Sequence, residues 1–439
     1  MKQIILFLIL FTMTSPCFSN SKTETTAPKT ILANRIILSK GYMEVRHIIL
    51  QGSNGDIGEA IGKIAQEWLK IVPLDYSEPI YAVARKMYML DNYPLLLDRM
   101  IGVGRAYNVS YAHSLLDLST LPYDIGPYGC SAVCFPPGEV KSRHPQVVRN
   151  FDSFIAPIHD VTGTPPAADA RNLFSRNFVM ELYPEVGYSS IVFGAMDLLN
   201  GVFDGLNSTG LTVCCMEANE TLVNYNIPLG GGKTTGLYMF QLARLILDTC
   251  SNVDEAKVKI LNAKISKNFS GLHMLIADTT GKSFIFELSQ GGDEIHFIDN
   301  GGKPQILTNF PVVQYNDTDK FPSIVKKKMD NPFHRYDVLD KVIKSKKGQF
   351  SQKEIWKLMN RVYVRTGKIP PGLKQAVPQR TLWKILIDQK ALSCKIVYYV
   401  NDGKKNKKTG KRNIKFSKPF TFNLGLLKEA PQNTSASNI

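Results

Sequence analysis

The chain has 439 residues, 44% hydrophobic and 21% charged, a globular balance large enough for one large domain or two modest ones. Beyond the first residues no stretch approaches the roughly 20 apolar residues that a membrane-crossing helix needs, which excludes a helical membrane protein. The net charge of +15 is partly concentrated at residues 326–328, 344–347 and 404–415 without interleaved aromatic residues, which argues against a nucleic-acid partner and leaves weak association with an anionic membrane surface.

Lys2, the apolar residues 4–13 and the small residues from Ser15 to Ser19 have the three-part layout of a signal peptide cleaved after Ser19. A secretory route follows, with periplasm, extracellular medium or a lysosome-like vesicle as destinations. Residues 20–40 are polar and read as a disordered lead-in. A strand is expected over 44–50, a helix behind an Asp56 cap over 56–69, and more helix over 77–116. From residue 130 the texture changes to strands at 178–183, 188–193, 210–216, 272–277, 283–288 and 306–308, interrupted by helix at 235–249 and from Asp254. Residues 404–415 form the tip of a hairpin between strands at 395–400 and 414–416. The expected divisions are therefore 1–19, 20–129 and 130–439.

The residues with the most chemical content are Gly129-Cys130-Ser131 and, further on, Arg149-Asn150-Phe151-Asp152. A cysteine is a useful nucleophile only as thiolate, so it needs a base or a cation beside it. If the chain is cut between Gly129 and Cys130, the new α-amino group, with an ordinary pKa of about 8, is itself that base and no histidine is required. Gly129, lacking Cβ, permits the strained backbone by which the thiol reaches the preceding carbonyl. Ala132-Val133 and Val147-Val148 flank the polar run from Pro136 to Pro145, which predicts a hairpin that returns Arg149 and Asp152 to Cys130. There the guanidinium favours thiolate and the carboxylate holds the ammonium. A buried core cysteine beside a surface turn is the competing reading.

These motifs resemble the N-terminal-nucleophile hydrolases of the choloylglycine hydrolase and penicillin acyltransferase group, which includes acid ceramidase and N-acylethanolamine acid amidase. Gly129-Cys130-Ser131 resembles the family's cleavage site and Val148-Arg149-Asn150-Phe151-Asp152 its Arg-Asn-X-Asp element. Asp204-Gly205-Leu206-Asn207-Ser208-Thr209-Gly210-Leu211 is similar to the Asn-Glu-Lys-Gly-Leu turn, with Ser208-Thr209 in place of Glu-Lys. Ile306-Leu307-Thr308-Asn309 resembles the Thr-Asn strand end, Phe333-His334-Arg335-Tyr336 the later Arg element, and 45–47 with 52–58 the start of penicillin-acyltransferase-type precursors. The resemblance spans about 44–400. It implies an α+β fold, the four-layer αββα sandwich of N-terminal-nucleophile hydrolases with a mostly helical N-terminal pro-segment, self-cleavage at Gly129/Cys130 and attack on a linear amide C–N bond, with no cofactor or metal. The implied roles are Cys130 as nucleophile, Asn309 and more weakly Asn207 as oxyanion donors, Arg149 and Arg335 as charge-holding groups, and Asp152 as the partner of the α-amine. Without the other motifs, Asn309 reads equally as a turn cap and Asn207 as part of a glycine turn.

Leu229-Gly-Gly-Gly-Lys233-Thr234 is no phosphate loop, because Ile227 stands where its first glycine belongs; it reads as a lid. The six cysteines beyond Cys17 show neither a disulfide framework nor zinc spacing. Phe151, Phe154, Leu198 and Leu199 are expected to line an apolar entrance or to pack in the core. Three function classes remain: a secreted amidase acting on a small N-acyl amide with an apolar acyl group, an acyltransferase, and a non-catalytic binding protein on the same scaffold.

Overall fold

The computed structural model describes residues 30–425 except 77, 113–114, 164, 166–169, 219–232, 234, 267–270, 289–293, 323–327, 369–375 and 406–411. The leader and most of the glycine-rich loop at 229–234 lie outside the described residues. In chain order the elements are β1 (Ile31–Lys40), β2 (Met43–Gly52), α1 (Asn54–Ile64), α2 (Pro79–Asn92), α3 (Pro94–Ala106), β3 (Tyr128–Phe135), β4 (Gln146–Phe154), α4 (Ile158–Thr162), β5 (Arg176–Pro184), β6 (Ser190–Gly194), β7 (Asp204–Asn207) and β8 (Thr212–Glu217). There follow α5 (Met239–Thr249), α6 (Val253–Asn262), β9 (Leu272–Ala277), β10 (Ser283–Leu288), β11 (Ile295–Asp299), β12 (Gln305–Thr308), α7 (Pro332–Ser345), α8 (Gln352–Leu358), β13 (Arg365–Lys368), β14 (Val377–Asp388), β15 (Ser393–Lys405), β16 (Arg412–Phe416) and β17 (Phe420–Asn423).

Among the described residues the strands form two sheets. One runs β1-β2-β5-β6-β7-β8-β9-β10-β11; the other runs β12-β3-β4-β14-β15-β16, with β13 on β14 and β17 on β15. The period-2 alternation of β3 shows how they stack. Cys130, Ala132 and Cys134 enter the large core between the sheets, whereas Val133 and Phe135 point the other way, onto Leu339 of α7 and Ile355 and Leu358 of α8. On the far side, α5 packs on β7 and β8 and α1 on β2 and β5. Gly205 of β7 admits α5, since a Cβ there would meet Leu247 Cδ1 at 2.3 Å. This is the expected four-layer αββα sandwich.

The N-terminal segment departs from expectation in ways that local chemistry explains. Residues 31–40 are not a disordered lead-in but β1, because their apolar residues find an antiparallel partner in β2 through a tight turn with Gly41 at φ +60°. The segment is thus not simply helical: β2 pairs in parallel with β5 over nine residues, so a cut before Cys130 leaves both pieces in one sheet. The cap of α1 is Ser53, whose hydroxyl accepts the Asp56 N–H at 3.1 Å, while Asp56 sits in the first turn. The helix expected over 77–116 is split at Tyr93-Pro94 into α2 and α3, since proline disfavours helical backbone in the residue before it.

Candidate active site

The predicted hairpin is β3–β4. Cys130 lies opposite Phe151 and Ala132 opposite Arg149, which puts Arg149 diagonal to Cys130 on the face between the sheets. The Arg149 guanidinium forks: one nitrogen donates to Asp204 Oδ2 at 2.6 Å, the other to Cys130 Sγ at 2.8 Å and to the Cys215 carbonyl at 3.1 Å. All three side chains are fully buried. Burial pushes the Cys130 thiol up to about 12 despite Arg149. Burial, with smaller contributions from Asp152 and Asp204, therefore disfavours the expected thiolate in the intact chain.

The backbone of Cys130 is held by a second set of groups. Its N–H donates to Asn309 Oδ1 at 2.6 Å, and its carbonyl accepts from Arg335 Nη1. Asn309 follows β12, which pairs antiparallel with β3 up to Thr308 opposite Ser131. Arg335, in the first turn of α7, also donates to Ser131 Oγ and to Asn309 Oδ1, each at 2.8 Å, and lies 3.5 Å from Asp152 Oδ2. It is buried, not the surface residue that its helix-start position allows. Asp152 faces Gly129 across the hairpin. Burial pushes Asp152 up to about 6, against the pull of Arg335 and a hydrogen bond from Thr381. Gly129 is extended and unstrained; space is what it supplies, since a Cβ there would stand 3.3 Å from Asn309 Oδ1.

Asn207 is not brought into this group. Its amide nitrogen donates to the Leu247 and Cys250 carbonyls, and its oxygen accepts from Thr209 N, Thr209 Oγ1 and Leu211 N. With both amide hydrogens engaged, it has none for an oxyanion; it organises the β7–β8 turn. Asn207→Ala is expected to cost about 3 kcal/mol in chemical denaturation, since several buried partners lose their hydrogen bond, while the folded fraction keeps its turnover. A loss of turnover of about 100-fold at unchanged stability would instead make it an oxyanion donor. Asn309 uses one hydrogen on the Glu217 carbonyl at 2.7 Å, leaving one.

Two acids were passed over in the sequence. Asp204 opens the Asp-Gly-Leu-Asn run and also accepts from Trp383 Nε1 at 3.1 Å. Glu217, a carboxylate ending the apolar strand β8, accepts the Tyr128 N–H at 3.1 Å, one residue before Gly129. In each case the available signal was an acid in a strand too apolar to tolerate one without partners. Phe151, Phe154, Leu198 and Leu199 are core residues, not an exposed entrance: all are buried, and Phe151 stacks on Trp383 with ring centroids 3.6 Å apart. The six described cysteines are buried and unbridged. Among the described residues no histidine bonds Cys130; His47, His144 and His273 pair with Glu181, Asp388 and Glu287.

Residues 145–360 match the family described as acyl-coenzyme A:6-aminopenicillanic acid acyl-transferase, a range that begins after Cys130 and holds Arg149, Asp152, Asn207, Asn309 and Arg335. A penicillin V acylase of Pectobacterium atrosepticum is 29% identical over 136 residues, 28% of this chain and 35% of that protein, so the match spans about a third of that relative's length. Among solved structures, a mutant of the conjugated bile acid hydrolase from Clostridium perfringens is 17% identical with TM-score 0.43, covering 66% of this chain and 92% of that one. Penicillin V acylase from Agrobacterium tumefaciens is 18% identical with TM-score 0.42, covering 62% and 84%. The matched range holds the residues that surround Cys130 but not Cys130 itself, and these similarities support a place in the choloylglycine hydrolase and penicillin acyltransferase group of N-terminal-nucleophile hydrolases.

Proposed function

We propose that the chain is a secreted cysteine amidase that activates itself by cleavage between Gly129 and Cys130 and hydrolyses the linear amide bond of an N-acyl substrate with an apolar acyl group and a small polar amine. The observation that carries this reading is that separate buried groups address the sulfur and the nitrogen of one residue: Arg149 contacts Cys130 Sγ at 2.8 Å, and Asn309 accepts from Cys130 N at 2.6 Å. A structural cysteine needs neither.

In the self-cleavage step, Sγ attacks the Gly129 carbonyl carbon, the Gly129–Cys130 C–N bond breaks, and the thiol proton passes to the nitrogen. Water then hydrolyses the Gly129 thioester, leaving a Gly129 carboxylate and restoring the Cys130 thiol beside the α-amine freed in the first step. That amine accepts the thiol proton during attack on substrate and returns it to the leaving amine. Asp152 holds the ammonium, and the remaining Asn309 N–H serves the oxyanion. The leader at 1–19 supports a secretory route. A second reading, transfer of the acyl group from the thioester to another amine, is favoured by the description of the matching family.

Intact mass and amino-terminal sequencing should find a large chain beginning at Cys130. The processed protein should release amine from at least one of N-acyl amino acids, N-acylethanolamines, bile-salt conjugates, N-acyl homoserine lactones and penicillin V. An active, uncut chain would remove the mechanism; a cleaved chain without amide turnover would move the weight to acyl transfer.

A further inference from the structure

We propose that Thr381 is a positioning residue of the Cys130 site: its hydroxyl engages one oxygen of Asp152 and leaves the other facing Arg335. The proposal rests on the reading of Cys130 as a self-cleaving nucleophile. Thr381 stands directly opposite Asp152 in the β14–β4 ladder, at an irregularity between Thr381 and Trp383. Its hydroxyl has a defined polarity. Val364 N–H donates into Thr381 Oγ1 at 3.0 Å, so the hydroxyl hydrogen is directed to its other neighbour, Asp152 Oδ1, at 2.5 Å. The Thr381 backbone N–H is also tied to the Val364 carbonyl, at 3.1 Å, so the donor is clamped from both sides. Asp152 Oδ2 is buried with no hydrogen-bond donor and lies 3.5 Å from the Arg335 nitrogen that also serves the Cys130 carbonyl. As carboxylate it holds Arg335 at the Cys130 carbonyl during cleavage, and it is the acceptor left for the ammonium that forms as the Gly129–Cys130 bond breaks.

The charged and titratable groups around this carboxyl are Arg149 on its own strand, Cys130 on β3, Arg335 on α7 and Tyr363 just before β13, with Asp330 acting on Arg335. Burial raises Asp152 to about 6, while Arg335 and the Thr381 hydroxyl oppose the rise. Removing the hydroxyl therefore moves the carboxyl further up, and protonation begins at higher pH.

The test follows self-cleavage of cell-free-synthesised full-length chain by gel across about pH 4.5 to 8, a readout that needs no substrate, together with penicillin V turnover by any processed product. Thr381→Val should shift the acid limb of cleavage upward by about one pH unit, and Thr381→Ser, which keeps the hydroxyl, should superimpose on wild type. A Thr381→Val profile scaled down uniformly with its limb unmoved, or a Thr381→Ser limb displaced as far as that of Thr381→Val, would overturn the proposal. If Thr381→Val does not fold, Thr381→Ala against Thr381→Ser makes the same comparison: a displaced limb in the first alone upholds the role, and equal limbs end it. A wild-type chain that never cleaves would refute the Cys130 reading itself, a result distinct from a normal wild type with an indifferent Thr381.

Discussion

Cys130→Ala is expected to yield a chain that stays in one piece and turns over no amide. In the proposed mechanism the sulfur is the attacking atom in both reactions, and no other described nucleophile takes its place among the contacts of Arg149 and Asn309. Folding should survive, because removing one buried sulfur from β3 costs about 1–2 kcal/mol, the small end of the large-to-small range. Cys130→Ser should cleave slowly and lose turnover by about 100-fold or more, since a hydroxyl ionises far less readily than a thiol. Gel electrophoresis and amine release read both outcomes.

The uncut Cys130→Ala chain also exposes the charge state of Asp152. The folded value of about 6 lies above the ordinary 3.8, so the folded chain binds this proton more tightly than the unfolded chain. The associated stability is present in full below about pH 4 and is lost as pH rises through about 6, a span of roughly 3 kcal/mol. Urea unfolding should therefore show this component growing on acidification, and Asp152→Asn should abolish it. In processed protein the ammonium of Cys130 should diminish it, because an adjacent cation favours the carboxylate.

Arg149→Met should lose both cleavage and stability, the latter by about 3–5 kcal/mol in urea unfolding, because Asp204 is left buried without a cation beside it. Arg149→Lys should not restore activity, since one ammonium cannot present two nitrogens in a planar fork to Asp204 and Cys130 together. Adding Asp204→Leu to Arg149→Met should recover much of the stability and none of the cleavage, because it removes the unpaired charge without replacing the sulfur's partner. Self-cleavage at the wild-type rate in Arg149→Met would exclude the guanidinium from the chemistry.

What the sequence determined by itself is what short range decides. The β3–β4 hairpin was legible because two apolar runs flank a polar tip within twenty-odd residues, and alternation then sets Arg149 diagonal to Cys130. The strands at 178–183, 272–277 and 283–288 were legible for the same reason, whereas the break at Pro94 was not read from the sequence. Tertiary structure decided whatever depends on a distant partner. Asn207 and Asn309 both end strands, but the first closes its own turn on Thr209 and Leu211, while the second meets Cys130, 179 positions away. Residues 31–40 became a strand only because β2 offered an edge, and Thr381 met Asp152 across 229 positions. Apolar residues such as Phe151 and Leu198 carry the same hydrophobic signal in a core or an entrance, so packing alone chose between them. The protonation of Cys130 was equally beyond local reading: Arg149 predicts a thiolate, and it is burial, with smaller contributions from Asp152 and Asp204, that disfavours it in the intact chain.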